Sequence, residues 1–354
     1  MTPQRAIFLF AAASLLPAIL LAISAVFGGV WAYATLLSVT LLVVAMDRLG
    51  PGFEAHDSLS RWLPWAVGAF HFICLYLTIW AIGQTGILDT GQKVALGVSM
   101  GLFAGQVSNA CAHELIHRTT RASRWLGIAT YSSILNGQHV SSHLLVHHLH
   151  AGTAKDPCSA PAGRGYYRFA VAAAKAEFIE GWRAETRRRA QRARAVHPFT
   201  IYLGGAGFSL CLSFLLSGWV GVAALVAISL HAQMQLLLSD YVQHYGLRRK
   251  IGSDGKAEAM GAQHSWNAPY PFSAALMMNA TRHSDHHLQP GRSFPELRLE
   301  EDTMPMLPRS MPVMGAIALF PPLWRHVMDP RVARWSSDVP HAAPASVSQP
   351  VMSR

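Results

Sequence analysis

"AIFLFAAASLLPAILLAISAVF", residues 6–27, is a run in which only serine and proline interrupt the apolar side chains. A helix needs about 20 consecutive apolar residues to cross the hydrocarbon core of a bilayer. The run therefore predicts a membrane-spanning helix. It is long for a signal peptide and leads straight into a second apolar segment, which favours a span over a cleaved leader.

The rest of the chain repeats this pattern. Of its 354 residues, 51% are hydrophobic and only 14% are charged, whereas soluble domains carry about 25% charged residues. We predict an all-α, polytopic membrane helical bundle of about six transmembrane helices, forming a single domain over residues 1–330, with a disordered tail over 336–354. The five further apolar segments lie at about 30–46, 63–84, 94–112, 199–216 and 219–238.

The distribution of Lys and Arg predicts the orientation of the spans. Basic residues are enriched in cytoplasmic loops. Arg5 precedes the first span, and Arg48 and Arg61 lie between the second and the third. The loop before the fourth span holds only Lys93. Most other basic residues follow spans four and six, which predicts that both termini face the cytoplasm. For the membrane itself we predict the bacterial inner membrane.

The segment "RAETRRRAQRARAVH", residues 183–197, carries much of the net charge of +10. A basic helix beside a span is typical of contact with anionic lipid headgroups, so we predict membrane lipids as its partner. A docking face for an acidic electron carrier is the alternative. No nucleic-acid partner is predicted.

Histidine is unusually abundant, with 18 residues. Half of them form four clusters, and within a cluster the spacings of three and four place side chains on one helical face. His113 pairs with His117 in this way, and His143 with His147. Neutral imidazole binds zinc, copper, iron and nickel, so we predict a cytoplasmic metal site. The clustered residues are His113, His117, His143, His147, His148, His244, His283, His286 and His287.

The other histidines are predicted not to be ligands. Three stand beside the clusters and are candidates for supporting roles: His139, His150 and His264. Six are isolated: His56, His71, His197, His231, His326 and His341. No pair of the four cysteines has metal-ligand spacing, and the histidine clusters are predicted on the reducing cytoplasmic side, so we expect no disulfide. Without a CxxC pair we also expect no fused rubredoxin-type domain.

"HELIH", residues 113–117, also matches the HExxH motif of zinc metalloproteases. There two histidines bind zinc and the glutamate activates water. An intramembrane zinc metalloprotease is thus an alternative, although it leaves at least six clustered histidines without a role. A metal transporter would place more polar residues inside its spans.

Together the clusters resemble the membrane alkane monooxygenases, a branch of the integral-membrane fatty acid desaturase–hydroxylase superfamily. The resemblance covers about residues 30–300. It rests on four segments: "HELIHR" at 113–118, "SHLLVHHLHAGTAKDPCSAPAGRGYYRF" at 142–169, "DYVQHYGLRR" at 240–249, and "HSWN" at 264–267 with "RHSDHHLQPGRSFPELR" at 282–298.

The resemblance implies that the nine clustered histidines bind two non-haem iron ions that react with O2. It implies terminal hydroxylation of a hydrophobic substrate, for which we predict a medium-chain n-alkane, with electrons from a separate rubredoxin and its NAD(P)H-dependent reductase. Related branches leave a xylene-type aromatic methyl monooxygenase and a fatty acyl desaturase or hydroxylase as alternatives.

The sequence departs from the family pattern at positions beside the ligands. Ser142 and Gln243 replace glutamates, Asp240 replaces an asparagine, and Ala154 and Lys155 replace a Pro-Glu pair. No expected ligand is lost. Ligating histidines usually donate their second ring nitrogen to a carboxylate or carbonyl, and the predicted supporting carboxylates are Glu114, Asp240 and Asp285.

Overall fold

A computed structural model describes residues 3–49, 62–190 and 196–336. Within these ranges the regular structure is helical, with two isolated β-bridges and no strand. Two π-helical turns, Ala104–Ser108 and His143–His147, and two 3₁₀ turns, Ala262–His264 and Phe294–Glu296, join or separate the α-helices. The α-helices are α1 (Pro3–Phe27), α2 (Val30–Ser38), α3 (Leu41–Leu49), α4 (Leu63–Gly83), α5 (Thr90–Phe103), α6 (Asn109–His117), α7 (Arg121–Ser133), α8 (His139–Ser142), α9 (His148–His150), α10 (Tyr166–Arg189), α11 (Pro198–His244), α12 (Pro271–Leu276), α13 (His283–Leu288), α14 (Met311–Ala318) and α15 (Pro321–Ser336).

Four of these helical stretches are long and apolar enough to cross a membrane: Phe8–Phe27, α4, the continuous stretch Thr90–His117, and α11. The bent pair α2 and α3 would make a fifth, with an angle of 42° between its halves. At the bend, Ser38 and Thr40 donate side-chain hydrogen bonds to carbonyls in the preceding turn. Such back-bonding competes with the helical ladder and bends helices.

Although α11 runs for 47 residues, it reverses direction at Ser217 and Gly218, where the backbone angles are not helical. Ser209, before the break, donates a hydrogen bond to the carbonyl of Ser133, and Gln233, after it, donates to the carbonyl of Ile134. In a straight helix, residues 24 positions apart would be separated by about 36 Å. The two halves of α11 are therefore antiparallel neighbours, matching the two apolar segments of the sequence.

The bundle has two distinct ends. At one end, Ser217 in the α11 reversal donates to the carbonyl of Ile79 near the end of α4. At the other end, Cys111 on α6 contacts the carbonyl of Pro64 at the start of α4. His113 follows Cys111 by half a turn, and His244 ends α11 on the same side. The helices thus deliver their histidines to the end of the bundle opposite the reversal.

Some predicted features lie wholly or partly outside the described residues. These are Arg61, His56, His341, residues 191–195 of the basic segment, and the predicted tail from residue 337 onward. The rest of the basic segment is helical as far as Arg189, at the end of α10.

Candidate metal centre

All nine clustered histidines meet in one place and form two groups. In each group the ligand-type atoms lie within 4.8 Å of one another. One group, here called the five-histidine cluster, takes residues from α6, from the second histidine segment and from α13. The other, the four-histidine cluster, takes residues from the second histidine segment, from the end of α11 and from α13. The first consists of His113, His117, His143, His148 and His286, and the second of His147, His244, His283 and His287.

A π-helical turn decides how the second histidine segment is shared. Spacing alone placed His143 and His147 together, but the structure puts them in different clusters. The turn His143–His147 is π-helical, and in such a turn residues five apart, rather than four apart, come into line. His143 therefore joins His148, and their Nε2 atoms are 2.9 Å apart, while His147 points to the other cluster.

The ring nitrogens have the spacing of ligands that share an ion. In the five-histidine cluster, four Nε2–Nε2 distances lie between 2.9 and 3.2 Å. In the four-histidine cluster, three such distances span the same range. Two imidazole nitrogens bound at right angles to one ion, at about 2.1 Å each, would be about 3.0 Å apart. The donor set of each cluster therefore fits a single metal ion.

Most clustered histidines outside the membrane spans lie where burial and neighbouring imidazoles favour the neutral ring, which keeps a nitrogen lone pair free. Burial, reinforced by the neighbouring imidazoles, holds the pKa values of His143, His283, His286 and His287 well below the usual range for histidine. The same causes lower the pKa of His148 to about 2. Neutral imidazole is the form that binds metal ions.

His147 differs because it has a carboxylate partner. Its Nδ1 lies 3.0 Å from the Oδ2 atom of Asp156. Burial alone would lower its pKa, but the carboxylate of Asp156 outweighs this effect and raises it to about 9. The opposite nitrogen, Nε2, is buried and without a hydrogen-bond partner. A metal ion that binds His147 must therefore displace the proton from Nε2, while Asp156 holds the other proton on Nδ1 and orients the ring.

Asp156 was not singled out from the sequence, and neither was Glu177. Asp156 is buried and also accepts hydrogen bonds from Ser159 and from the backbone N–H of Cys158. The Oε1 atom of Glu177 lies 3.2 Å from Nδ1 of His139 and accepts a hydrogen bond from the Cys158 thiol. The only signal in the sequence was the Asp-Pro pair at residues 156–157, within the segment 142–169 that resembles the family.

The three predicted supporting carboxylates have other contacts. Glu114 forms an ion pair with Arg118 and accepts a hydrogen bond from the backbone N–H of Phe294. Asp240 lies beside Cys158 and Glu177, with the ligand-type atoms of the three within 4.8 Å of one another.

Asp285 lies inside α13 and binds both Arg292 and the backbone N–H of Arg298. It therefore ties the following loop to the short helix that carries three cluster histidines. Gln243, one of the departures from the family, donates to the carbonyl of Ala280 at 2.8 Å. A glutamate could not donate this hydrogen bond, which holds the approach to α13 against α11.

The described histidines outside the clusters have their own surroundings. His71 bridges Ser108 and Ser133 inside the bundle. His264 accepts a hydrogen bond from Gly261 and lies 3.0 Å from a carboxylate oxygen of Glu258. The others stand apart: His231 lies beside Gln235, His197 caps α11, His150 is the half-buried last residue of α9, and His326 is exposed.

Comparison with known proteins gives a consistent picture. Residues 92–315 match the family model described as fatty acid desaturase. Alkane 1-monooxygenase 1 of Pseudomonas aeruginosa is 30% identical over 319 residues, covering 85% of this chain and 83% of the relative. Alkane 1-monooxygenase of Pseudomonas putida is 30% identical, covering 78% and 69%. Alkane 1-monooxygenase 2 of Alcanivorax borkumensis is 33% identical, covering 68% and 64%.

Proposed function

The chain belongs to the fatty acid desaturase family, and on that premise we propose that it is a membrane monooxygenase that hydroxylates the terminal methyl group of medium-chain n-alkanes. The observation that carries the proposal is the pair of histidine clusters at one end of an apolar bundle. The similarity to alkane 1-monooxygenases over most of the chain supports hydroxylation over desaturation.

We assign one iron ion to each cluster, with the nine histidines as ligands. Bound iron would supply the activation of O2, in which one oxygen atom enters the C–H bond and the other leaves as water, with two electrons and two protons consumed. The protein holds the rings in register, and burial excludes water and disfavours protonation of the rings other than His147. Asp156 orients His147, and Asp285 positions α13.

The contacts of Glu114 argue against the protease alternative. In a zinc protease this glutamate would activate water at the metal. Here its carboxylate binds Arg118 and the backbone of Phe294 instead. The two flanking histidines also lie among three further histidines, whereas a catalytic zinc site has three protein ligands and an open position.

For the topology, we propose six spans with both termini in the cytoplasm of a bacterial cell and the metal centre at the cytoplasmic face of the inner membrane. The reversal within α11 supports counting it as two spans, and the bent pair α2 and α3 supports a further one. Lys and Arg enrichment beyond spans four and six supports the orientation.

The shape of the bundle supports a linear apolar substrate taken from the bilayer. A groove of about 510 Å³ lies between α5 and the second half of α11, with walls that include Val98, Ala227 and Ile228. It begins beside the reversal, at Val220, and extends toward the histidine end as far as His231. Because a substrate already dissolved in lipid gains little from further burial, the length and shape of the route from this groove to the clusters would select the chain. We propose electrons from a rubredoxin with its NAD(P)H-dependent reductase, since the chain has no CxxC pair of its own.

The function is tested with washed membranes that contain the protein, supplied with octane, hexadecane or xylene. With rubredoxin, reductase and NADH present, we expect octane to give 1-octanol, and omission of rubredoxin should reduce product to background. Methylbenzyl alcohol without any 1-alkanol would favour the aromatic alternative, and an alkene product would favour desaturation. Full activity with NADH alone would contradict the proposed donor.

Replacing Asp156 by Asn should weaken iron binding in the four-histidine cluster. The amide cannot accept as strongly from His147 Nδ1–H, and loss of such a partner typically lowers metal affinity about 10- to 100-fold. Iron titration of the metal-depleted protein measures the effect. Asp254→Asn, at an exposed site, is the control, and equal affinities in the two variants would contradict the role of Asp156.

A further inference from the structure

A cavity of about 380 Å³ lies between α7, the end of α10 and the beginning of α11, and none of the nine clustered histidines lines it. Its walls are largely apolar and include Ile128, Leu144 and Ile201. Its volume falls within the usual range for ligand pockets. Nothing in the proposed hydroxylation uses this cavity.

Four arginines stand around the apolar walls. Arg121 and Arg124 come from α7, and Arg188 and Arg189 from the last turn of α10. A carboxylate also lines the cavity, because Glu185 is buried there and binds Arg189 at 2.6 Å and Ser141 at 2.9 Å. Glu185 balances one arginine, which leaves a cationic excess at the cavity.

The position of the cavity places it at the membrane boundary. Pro198, the first residue of α11, lines it, and α11 is one of the helices able to cross a membrane. Trp125 lines it as well and is 47% exposed. Tryptophan concentrates at the level of lipid headgroups. The cavity therefore lies where a polar headgroup would meet the beginning of an acyl chain.

We propose that this cavity binds one anionic phospholipid, with its phosphate against Arg121, Arg124 and Arg188 and the start of an acyl chain against Ile128, Leu144 and Ile201. Guanidinium groups match phosphate in both charge and hydrogen-bond geometry. The apolar walls distinguish this site from a docking face for an acidic protein, whose contacts would be made by the exposed arginines alone.

The test measures lipid binding to the full-length protein purified in neutral detergent. Phosphatidylglycerol, phosphatidylcholine and inorganic phosphate are titrated separately. We expect tight binding of phosphatidylglycerol only. Each basic residue near an anionic lipid contributes about fivefold in affinity, so the combined change of Arg121, Arg124 and Arg188 to Gln should weaken binding roughly 100-fold.

The matched control changes three exposed arginines that do not line the cavity, Arg168, Arg183 and Arg187, to Gln. It removes the same charge and should retain most of the affinity. Equal losses in the two triple variants would overturn the site, because they would indicate a general charge effect. Equal binding of phosphatidylcholine, or of inorganic phosphate, would overturn an anionic lipid as the occupant.

A single change at the exposed Arg124 provides a second measurement that does not depend on the fold of a triple variant. Arg124→Glu should weaken phosphatidylglycerol binding more than Arg124→Gln, at unchanged iron content. If the triple variant instead bound phosphatidylglycerol normally but lost turnover with the electron donor, the arginines would serve donor docking and the proposal would be wrong.

Discussion

His244→Ala and His286→Ala should each remove turnover, and each should lower bound iron from two ions per chain toward one. The reason is that each change opens a different cluster. His244 has its Nε2 2.9 Å from that of His283, and His286 has its Nε2 3.2 Å from that of His148. Removal of one ligand from a site of four should cost more iron than removal of one from a site of five.

The measurement is the ratio of iron to protein, together with product formation from octane. His326→Ala is the control, since this ring is exposed and far along the chain in α15. We expect it to keep both irons and full turnover. Full iron and activity in His244→Ala would show that the nine-ligand assignment is wrong. If the protein contained zinc in place of iron and cleaved peptides, the result would support the protease alternative.

The sequence predicted the helical framework well because that framework follows from composition. The apolar run at 63–84 became α4 almost residue for residue, and the segments at 199–216 and 219–238 fall in the two halves of α11. The thickness of the hydrocarbon core and the hydropathy of the segment determine such helices, largely without tertiary contacts. The bend between α2 and α3 was missed because it depends on side-chain hydrogen bonds of Ser38 and Thr40.

The sequence predicted which nine histidines lie together but not how they divide into two clusters, and their role as metal ligands stays a prediction. Spacing arguments assume 3.6 residues per turn, and this held for His113 and His117, which share a cluster. It failed for His143 and His147 because the intervening turn is π-helical. The partners Asp156 and Glu177 were missed for a different reason: only folding brings a carboxylate from a separate loop or helix to a histidine ring.

The second large effect is expected at Gly105, in the π-helical turn between α5 and α6. A Cβ built there would lie 2.9 Å from Cγ of Gln235 and 3.0 Å from the carbonyl oxygen of Ala232. Both neighbours are on α11, and a backbone oxygen cannot rotate away. Small residues allow membrane helices to approach this closely.

Gly105→Leu should therefore push the helix that carries His113 and His117 away from the helix that carries His244. Overpacking of a tight interface commonly lowers the free energy of unfolding by about 1–3 kcal/mol. This substitution adds four carbon atoms against backbone, so we expect a loss of stability at or above the upper end of that range. Because the two helices supply ligands to adjacent clusters, bound iron should fall together with stability.

Gly97→Leu is the matched control, on the same helix two turns earlier. A Cβ at Gly97 would meet only the end of the Ile82 side chain, at an ordinary distance of 3.6 Å, and the position borders the groove beside α11. Replacing glycine in a helix also removes a conformational penalty of about 0.5–1 kcal/mol. Thermal aggregation and iron content of the two variants, measured in the same detergent, make the comparison. Similar losses in both would mean that bulk anywhere on α5 is harmful, and that the close approach at Gly105 does not set the distance between the histidine-bearing helices.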